Sequence, residues 1–224
     1  MSSPIRILLS SFLTMAILAA LLQIPAGRWD WWAGWVCWLV NLAIILLGGI
    51  LLYVRNPELL RRRSQVGENT QLWDKGMVAA LIMTYCMQFA VAGLDVGRSN
   101  GGPGPIMFWA GVLCTWLGFF GMLRCMLVNT HFESTVRLQT DRQHKLVDRG
   151  PYALVRHPGY STGLLYFLGL GLMLGSWWAL CLWPIETAIL SARLVLEEDF
   201  LSEALEGYAD YRRRVRYRLL PGLW

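Results

Sequence analysis

The residues best suited to chemistry lie in one polar stretch, residues 131–160. Two X-Pro steps within it, Gly150-Pro151 and His157-Pro158, disfavour helix at the residue before each proline. We therefore expect an ordered, non-helical corner whose backbone donors and acceptors can hold a ligand. A basic loop that binds anionic lipid head groups is the alternative interpretation.

A second group of ionisable residues lies in an apolar stretch further on. Glu186, Arg193 and Glu197 are spaced so that a helix with 3.6 residues per turn carries all three on one face. Ionisable groups inside a membrane helix normally face a bundle interior or a wet cavity. A local ion pair between Arg193 and Glu197 is the alternative.

Membrane helices must position these groups. Of the 224 residues, 55% are hydrophobic and only 16% are charged, whereas soluble domains carry about 25% charged residues. Since about 20 helical residues cross a bilayer core, we predict an all-α, polytopic integral membrane protein of about six transmembrane helices, which excludes a soluble enzyme. The predicted spans are residues 5–24, 31–54, 76–96, 106–128, 160–175 and 177–196. The first is expected to be a retained helix rather than a cleaved signal peptide.

Basic residues predict the orientation, because they concentrate in cytoplasmic loops. They cluster after the second, fourth and last predicted spans, whereas the opposite loops carry only Arg28 and Arg98. Both termini are therefore expected in the cytoplasm. We divide the single membrane domain into N-terminal helices, residues 1–129, and a C-terminal part, residues 130–224.

Three local features refine this picture. Apolar residues at helical spacing in residues 200–208 predict a C-terminal amphipathic helix at the membrane interface. Gly175-Ser176 predicts a tight hairpin between the last two spans. The pairs Gly159/Gly163 and Gly171/Gly175 have the small-x-x-x-small spacing that allows helices to approach closely. The five cysteines are interpreted as lone buried thiols.

Three motifs in order give the C-terminal part a recognisable pattern. They are G-P-Y-x-x-V-R-H-P-x-Y-x-x-G at residues 150–163, R-x-x-x-E-E-x-x-L at 193–201 and G-Y-x-x-Y-x-x-R-V at 207–215. This pattern resembles the isoprenylcysteine carboxyl methyltransferase family over roughly the last 90 residues. The first four helices resemble the family only in hydropathy, and residues 216–224 look like the tails of bacterial members.

The resemblance implies a membrane methyltransferase that uses S-adenosyl-L-methionine. It implies that Glu197 and Glu198 receive the ribose hydroxyls or help to neutralise the sulfonium, and that Arg214 orients the acceptor. The cofactor pocket is expected to be lined by Tyr152, Val155, Arg156, His157, Pro158, Tyr160 and Gly163.

Methyl transfer from a sulfonium is an in-line displacement that requires alignment and desolvation rather than a metal. A carboxylate or thiolate acceptor would need a cation such as Arg214, whereas an amine or phenol would need a base such as Glu198 or His157. No metal site is expected, because His131, His144 and His157 recur at intervals unlike those of helical metal ligands.

Two other classes of function stay open. Membrane sterol reductases that use NADPH have a similar last hairpin, but they usually carry Asn before the corner tyrosine, where this chain has Gly159. A non-enzymatic transporter or scaffold would leave the corner and the acidic pair without a purpose. The expected partners are membrane lipids and a lipophilic or prenylated acceptor from the bilayer, not nucleic acid. The expected location is an integral, multi-pass position in a membrane, which is the inner membrane if the host is bacterial. The host and the oligomeric state are open.

Overall fold

A computed structural model describes residues 4–63, 65, 67, 70–99, 102–139 and 145–224, and the secondary structure in these ranges is helical, without strands. His144, one of the three histidines considered above, lies outside these ranges. The helices are α1 (Pro4–Ala26), α2 (Trp32–Arg55), α3 (Pro57–Arg63), α4 (Leu72–Ser99), α5 (Pro105–Val128), α6 (Pro158–Leu174), α7 (Trp177–Leu180), α8 (Trp183–Ala204) and α9 (Tyr208–Arg214).

The prediction of a polytopic all-α membrane protein is confirmed. Five segments are helical, long and apolar enough to cross a membrane: Leu9–Ala26, Trp32–Arg55, Leu72–Ser99, Pro105–Val128 and Trp177–Ala204. The predicted fifth span forms α6, which has 17 residues and a length of about 25 Å, somewhat less than a hydrocarbon core of about 30 Å. Pro158 begins this helix, and Gly175 ends it in the left-handed conformation, with φ of 69°.

Glycines set the distance between α5 and α6, which form the most extensive helix pair. A Cβ atom on Gly118 would lie 2.7 Å from the carbonyl oxygen of Thr162, and one on Gly111 would lie 2.7 Å from that of Gly169. The predicted pair Gly159/Gly163 faces side chains rather than backbone, namely Met122 of α5 and Phe132. The two backbones therefore touch at positions that the small-residue spacing did not identify.

The predicted amphipathic tail helix is divided in two. Helix α8 continues to Ala204, and Gly207, with φ of 80°, turns the chain into the short helix α9. The apolar residues of this segment do not face lipid, because they pack on the polar stretch before α6. The resulting cluster contains Leu205, Tyr208, Tyr211 and Val215 with Leu138, Leu146 and Leu201.

The three connecting segments rich in basic residues meet at one end of the bundle. Arg63 donates to the carbonyl of Phe132 at 3.1 Å, and Arg156 donates to the carbonyl of Val215 at 2.7 Å. At the other end, Ser176 donates to Asp95 at 2.6 Å. This grouping agrees with the predicted charge asymmetry, and the assignment of the basic end to the cytoplasm stays a prediction.

The α5–α6 contact generates a stability prediction. Gly111→Ala should destabilise the protein by about 1–3 kcal/mol, because the new methyl group presses on the backbone of α6. Gly76→Ala is the matched control, since a Cβ there meets nothing within 4 Å and alanine favours helix. Thermal unfolding in detergent should show a lower Tm for Gly111→Ala only, and equal Tm values in the two variants would contradict the close contact.

Candidate functional site

The corner predicted before α6 is held in place by the C-terminal tail. Residues Gly150–Ala153 form a short 3-10 helix. Beyond it, the backbone N–H groups of Arg156 and His157 donate to the carbonyls of Tyr217 and Arg218, each at 2.9 Å. The phenol of Tyr211 donates to the carbonyl of Tyr152 at 2.7 Å. The corner and the tail therefore form one ordered unit at the basic end of the bundle.

Glu198 connects this unit to α8. Its carboxylate accepts hydrogen bonds from Arg156 (Nη2–Oε2, 3.2 Å) and Arg218 (Nε–Oε2, 2.9 Å), and it lies 3.2 Å from His157 Nε2. The Glu198 side chain is 1% exposed. The Nη1 atom of Arg156 also donates to the carbonyls of Val215 and Arg216. Both oxygens of Glu198 are thus engaged, and they join the corner and the tail to α8.

Directly beside this connection lies a cavity of about 750 Å³, which is within the usual range for ligand sites, roughly 300–1,000 Å³. Its two ends differ in character. One end is apolar and is lined from α2, α4 and α5 by Ile44, Ile45, Val78, Leu81 and Phe119. The other end is polar and is lined by Tyr152, Arg156, His157, Tyr160, Gly163 and Glu197. The cavity can therefore accept a polar and an apolar molecule end to end.

Of the acidic pair, Glu197 is the member whose side chain lines the cavity. Its Oε2 atom accepts a hydrogen bond from the phenol of Tyr160. The Tyr160 ring stacks on that of His157, with centroids 5.5 Å apart and an angle of 6° between the planes. On Tyr160, the Cζ atom of Arg193 lies 5.4 Å from the ring centroid. The structure thus brings the predicted corner residues and the acidic pair together.

Arg193 pairs with a residue that sequence reasoning missed. Its Nε atom donates to Asp74 Oδ1 at 2.7 Å, and its Nη2 atom donates to the carbonyl of Ser134 at 3.0 Å. Asp74 also accepts from the backbone N–H of Val136 at 2.7 Å. The local pair between Arg193 and Glu197, considered above, is not what the structure shows. The missed signal was an arginine inside a membrane helix, which requires a carboxylate from another element.

Four predicted site residues are absent from the cavity wall. Val155 and Pro158 are buried and do not line it. The Glu198 carboxylate is engaged by Arg156, Arg218 and His157, and its predicted catalytic role stays a prediction. Arg214 donates to Asp148 at 2.7 Å, and its side chain is 62% exposed. Its acceptor-orienting role stays a prediction, without a cavity contact. Glu186, predicted to share the face of Arg193, is buried outside the lining and has no hydrogen-bond partner among the described residues.

The pKa values of Tyr152 and Arg63, which line the cavity outside the spans, are shifted from their ordinary values. Burial raises the pKa of the Tyr152 phenol well above its ordinary range, so this phenol is neutral at physiological pH. Burial and the neighbouring charge of Arg193 lower the pKa of Arg63 to about 10, which still leaves its guanidinium charged at neutral pH. The polar end therefore combines neutral phenols with a persistent positive charge.

Comparisons with known proteins agree with the motifs. The family described as phospholipid methyltransferase matches residues 106–207. A probable protein-S-isoprenylcysteine O-methyltransferase of Oryza sativa subsp. indica is 34% identical over 90 residues, 38% of this chain and 45% of that protein. The cobalt-zinc-cadmium resistance protein CzcN of Cupriavidus metallidurans is 32% identical over 111 residues, 49% of this chain and 47% of that protein.

A third relative, protein-S-isoprenylcysteine O-methyltransferase B of Arabidopsis thaliana, is 26% identical over 113 residues, 45% of this chain and 57% of that protein. The chain thus spans about half the length of the curated relatives it matches. The family match includes the corner and both members of the acidic pair, whereas α1 to α4 lie outside it.

The role of Glu198 as a connector generates a prediction. Glu198→Gln should accelerate amide hydrogen exchange in residues 208–219 and destabilise the protein by about 3–5 kcal/mol, because the buried guanidinium of Arg156 and the partly buried one of Arg218 lose their carboxylate. Arg213→Gln is the control, since it removes a pair with Asp210 in which both side chains are largely exposed and which is worth at most about 1 kcal/mol. Unchanged exchange of the tail in Glu198→Gln would contradict the connector role.

Proposed function

Because this chain belongs to the isoprenylcysteine carboxyl methyltransferase family, we propose that it is a membrane methyltransferase that uses S-adenosyl-L-methionine. Its acceptor is a lipophilic molecule with a carboxylate, a thiol or a lipid head group, and it reacts at the cytoplasmic face. The observation that carries the proposal is the single cavity shared by Glu197, the corner and the apolar surfaces of α2, α4 and α5.

The polar end has groups suited to the nucleoside part of the cofactor. Glu197 hydrogen-bonds Tyr160 through Oε2, which leaves Oε1 to accept from ribose hydroxyls. Tyr152 and His157 line the same end, and aromatic rings there can pack against a base. When bound, S-adenosyl-L-methionine supplies a methyl group on a positively charged sulfonium, and the Glu197 carboxylate favours this charge.

The apolar end suits the acceptor. Its lining comes from membrane helices, so an acyl or prenyl chain can lie there without exposure to water. The tail cluster of Leu205, Tyr208, Tyr211 and Val215 covers the polar end from the aqueous side. Holding two reactants in line can supply about 7–11 kcal/mol toward the barrier. The named activity of two of the relatives makes a prenylated cysteine one candidate acceptor.

Cofactor binding tests this proposal. Calorimetry of the detergent-purified protein should show binding of S-adenosylhomocysteine and no binding of NADPH. Glu197→Gln should weaken S-adenosylhomocysteine binding by roughly ten-fold or more, because a hydrogen bond to a charged group is worth about 1.5–3 kcal/mol. Glu203→Gln, on the same helix but exposed, should bind as the wild type does.

The alternative outcomes separate the competing functions. Binding of NADPH alone would indicate a reductase, and binding of neither molecule would indicate a transporter or scaffold. Wild-type affinity in Glu197→Gln would remove the assignment of Glu197 while leaving the methyltransferase proposal in place. Transfer of a labelled methyl group to the lipid fraction of native membranes would then identify the acceptor class.

A further inference from the structure

Cationic side chains line the cavity in greater number than its acidic ones. They are Arg63, Arg137, Lys145, Arg156 and Arg193. Three of them are paired with carboxylates: Arg137 with Glu133 at 2.7 Å, Arg156 with Glu198, and Arg193 with Asp74 at 2.7 Å. Lys145 is exposed. The charge of these four residues is therefore either compensated or hydrated.

Arg63 differs from the other four. It is the last residue of α3, its side chain is partly buried, and no carboxylate of the described residues lies within ion-pair distance of it. Its Nη1 atom donates to the carbonyl of Phe132 at 3.1 Å, and its Cζ atom lies 5.3 Å from the centre of the Phe132 ring. A guanidinium has five N–H donors, so these contacts leave donors for a ligand.

The position of Arg63 places this charge near the predicted chemistry. The Phe132 ring beneath its guanidinium also lies against the start of α6, where a Cβ atom on Gly159 would come within 2.6 Å of that ring. Gly159 belongs to the corner motif and lines the cavity. A cation withdrawn from water beside a ligand cavity favours an anionic partner there.

We propose that Arg63 is the anion-binding residue of this cavity, and that its guanidinium holds a carboxylate carried by a bound molecule. The carboxylate belongs either to the methionine part of the methyl donor or to the acceptor. This inference rests on the proposed function. It assigns to the α2–α4 connection, which lies outside the matched family region, a direct part in binding.

Arg63 fits this role better than the tail arginine that the resemblance suggested. Arg214 is largely exposed and is paired with Asp148, so any anion it held would lie at the protein surface. A planar guanidinium can bind a carboxylate through two parallel hydrogen bonds, whereas the ammonium of Lys145 acts as a point charge.

Binding measurements on Arg63→Gln and Arg63→Lys test the proposal, with Arg61→Gln as the matched control. Arg61 belongs to the same helix, does not line the cavity and has a side chain that is 41% exposed. The donor probes are S-adenosylhomocysteine and 5′-methylthioadenosine, which lacks the amino-acid carboxylate. The acceptor probes are N-acetyl-S-farnesylcysteine and its amide, which differ only in the carboxylate.

Two results would support the proposal and would identify the source of the carboxylate. If the donor supplies it, Arg63→Gln weakens S-adenosylhomocysteine binding by roughly ten- to hundred-fold and leaves 5′-methylthioadenosine binding unchanged. If the acceptor supplies it, Arg63→Gln lowers affinity for the farnesylcysteine acid to that for the amide and spares both donor probes. Arg63→Lys should partly restore the affected affinity, and Arg61→Gln should match the wild type.

The contrary results are equally distinct. Wild-type affinities of Arg63→Gln for all four probes would overturn the inference and leave the proposed function standing. Absence of S-adenosylhomocysteine binding by the wild type would refute the proposed function and this inference with it. The affinities are compared between variants whose thermal unfolding matches that of the wild type. Loss of affinity for every probe, without rescue by Arg63→Lys, would indicate a structural role for Arg63 and would also overturn the inference.

Discussion

A single buried carboxylate, that of Glu198, sets the arrangement of the whole C-terminal half. An ionised carboxylate withdrawn from water is strongly destabilising unless charged and hydrogen-bonding partners surround it. Arg156 of the corner and Arg218 of the tail provide those partners. Two separate segments, the corner and the tail, must therefore converge on one point of α8, and the polar end of the cavity forms beside that point.

A second buried pair, Asp74 with Arg193, has the same effect earlier in α8. It ties the start of α4 to α8. Through Ser134 and Val136, it also fixes the polar stretch that follows α5. The two pairs leave Glu197, which lies between Arg193 and Glu198 in the chain, free to face the cavity. The neighbouring carboxylates thus have different tasks, since Glu198 holds the scaffold and Glu197 is available to a ligand.

Much of this could be predicted from the chain itself. Hydrophobic runs gave the helices, proline steps gave the corner, and helical spacing placed Arg193 and Glu197 on one face. Contacts between distant segments could not be predicted in the same way. Local pattern does not reveal the partner of Arg193, the closeness of Gly111 to α6 or the connector role of Glu198. Each of these depends on which elements meet in three dimensions.

The tail shows the same limit. Its apolar spacing correctly indicated a one-sided segment, but spacing does not reveal which surface that side covers. Leu205, Tyr208 and Tyr211 pack on protein rather than on lipid. Arg218 donates to Glu198, and carbonyls of the tail accept from the backbone of the corner, so the tail is held against the protein. The roles of Arg214 and of the other predicted site residues in catalysis stay predictions.

The cavity depends on Glu198, although Glu198 does not line it. The most direct measurement is a double-mutant cycle on S-adenosylhomocysteine affinity with Arg156→Gln, Glu198→Gln and the double variant. We expect each single substitution to weaken binding by more than about ten-fold and the double variant to bind no worse than the weaker single variant. Wild-type affinity in Glu198→Gln would show that the cavity does not depend on Glu198. Losses of affinity that multiply in the double variant would show that Arg156 and Glu198 act independently.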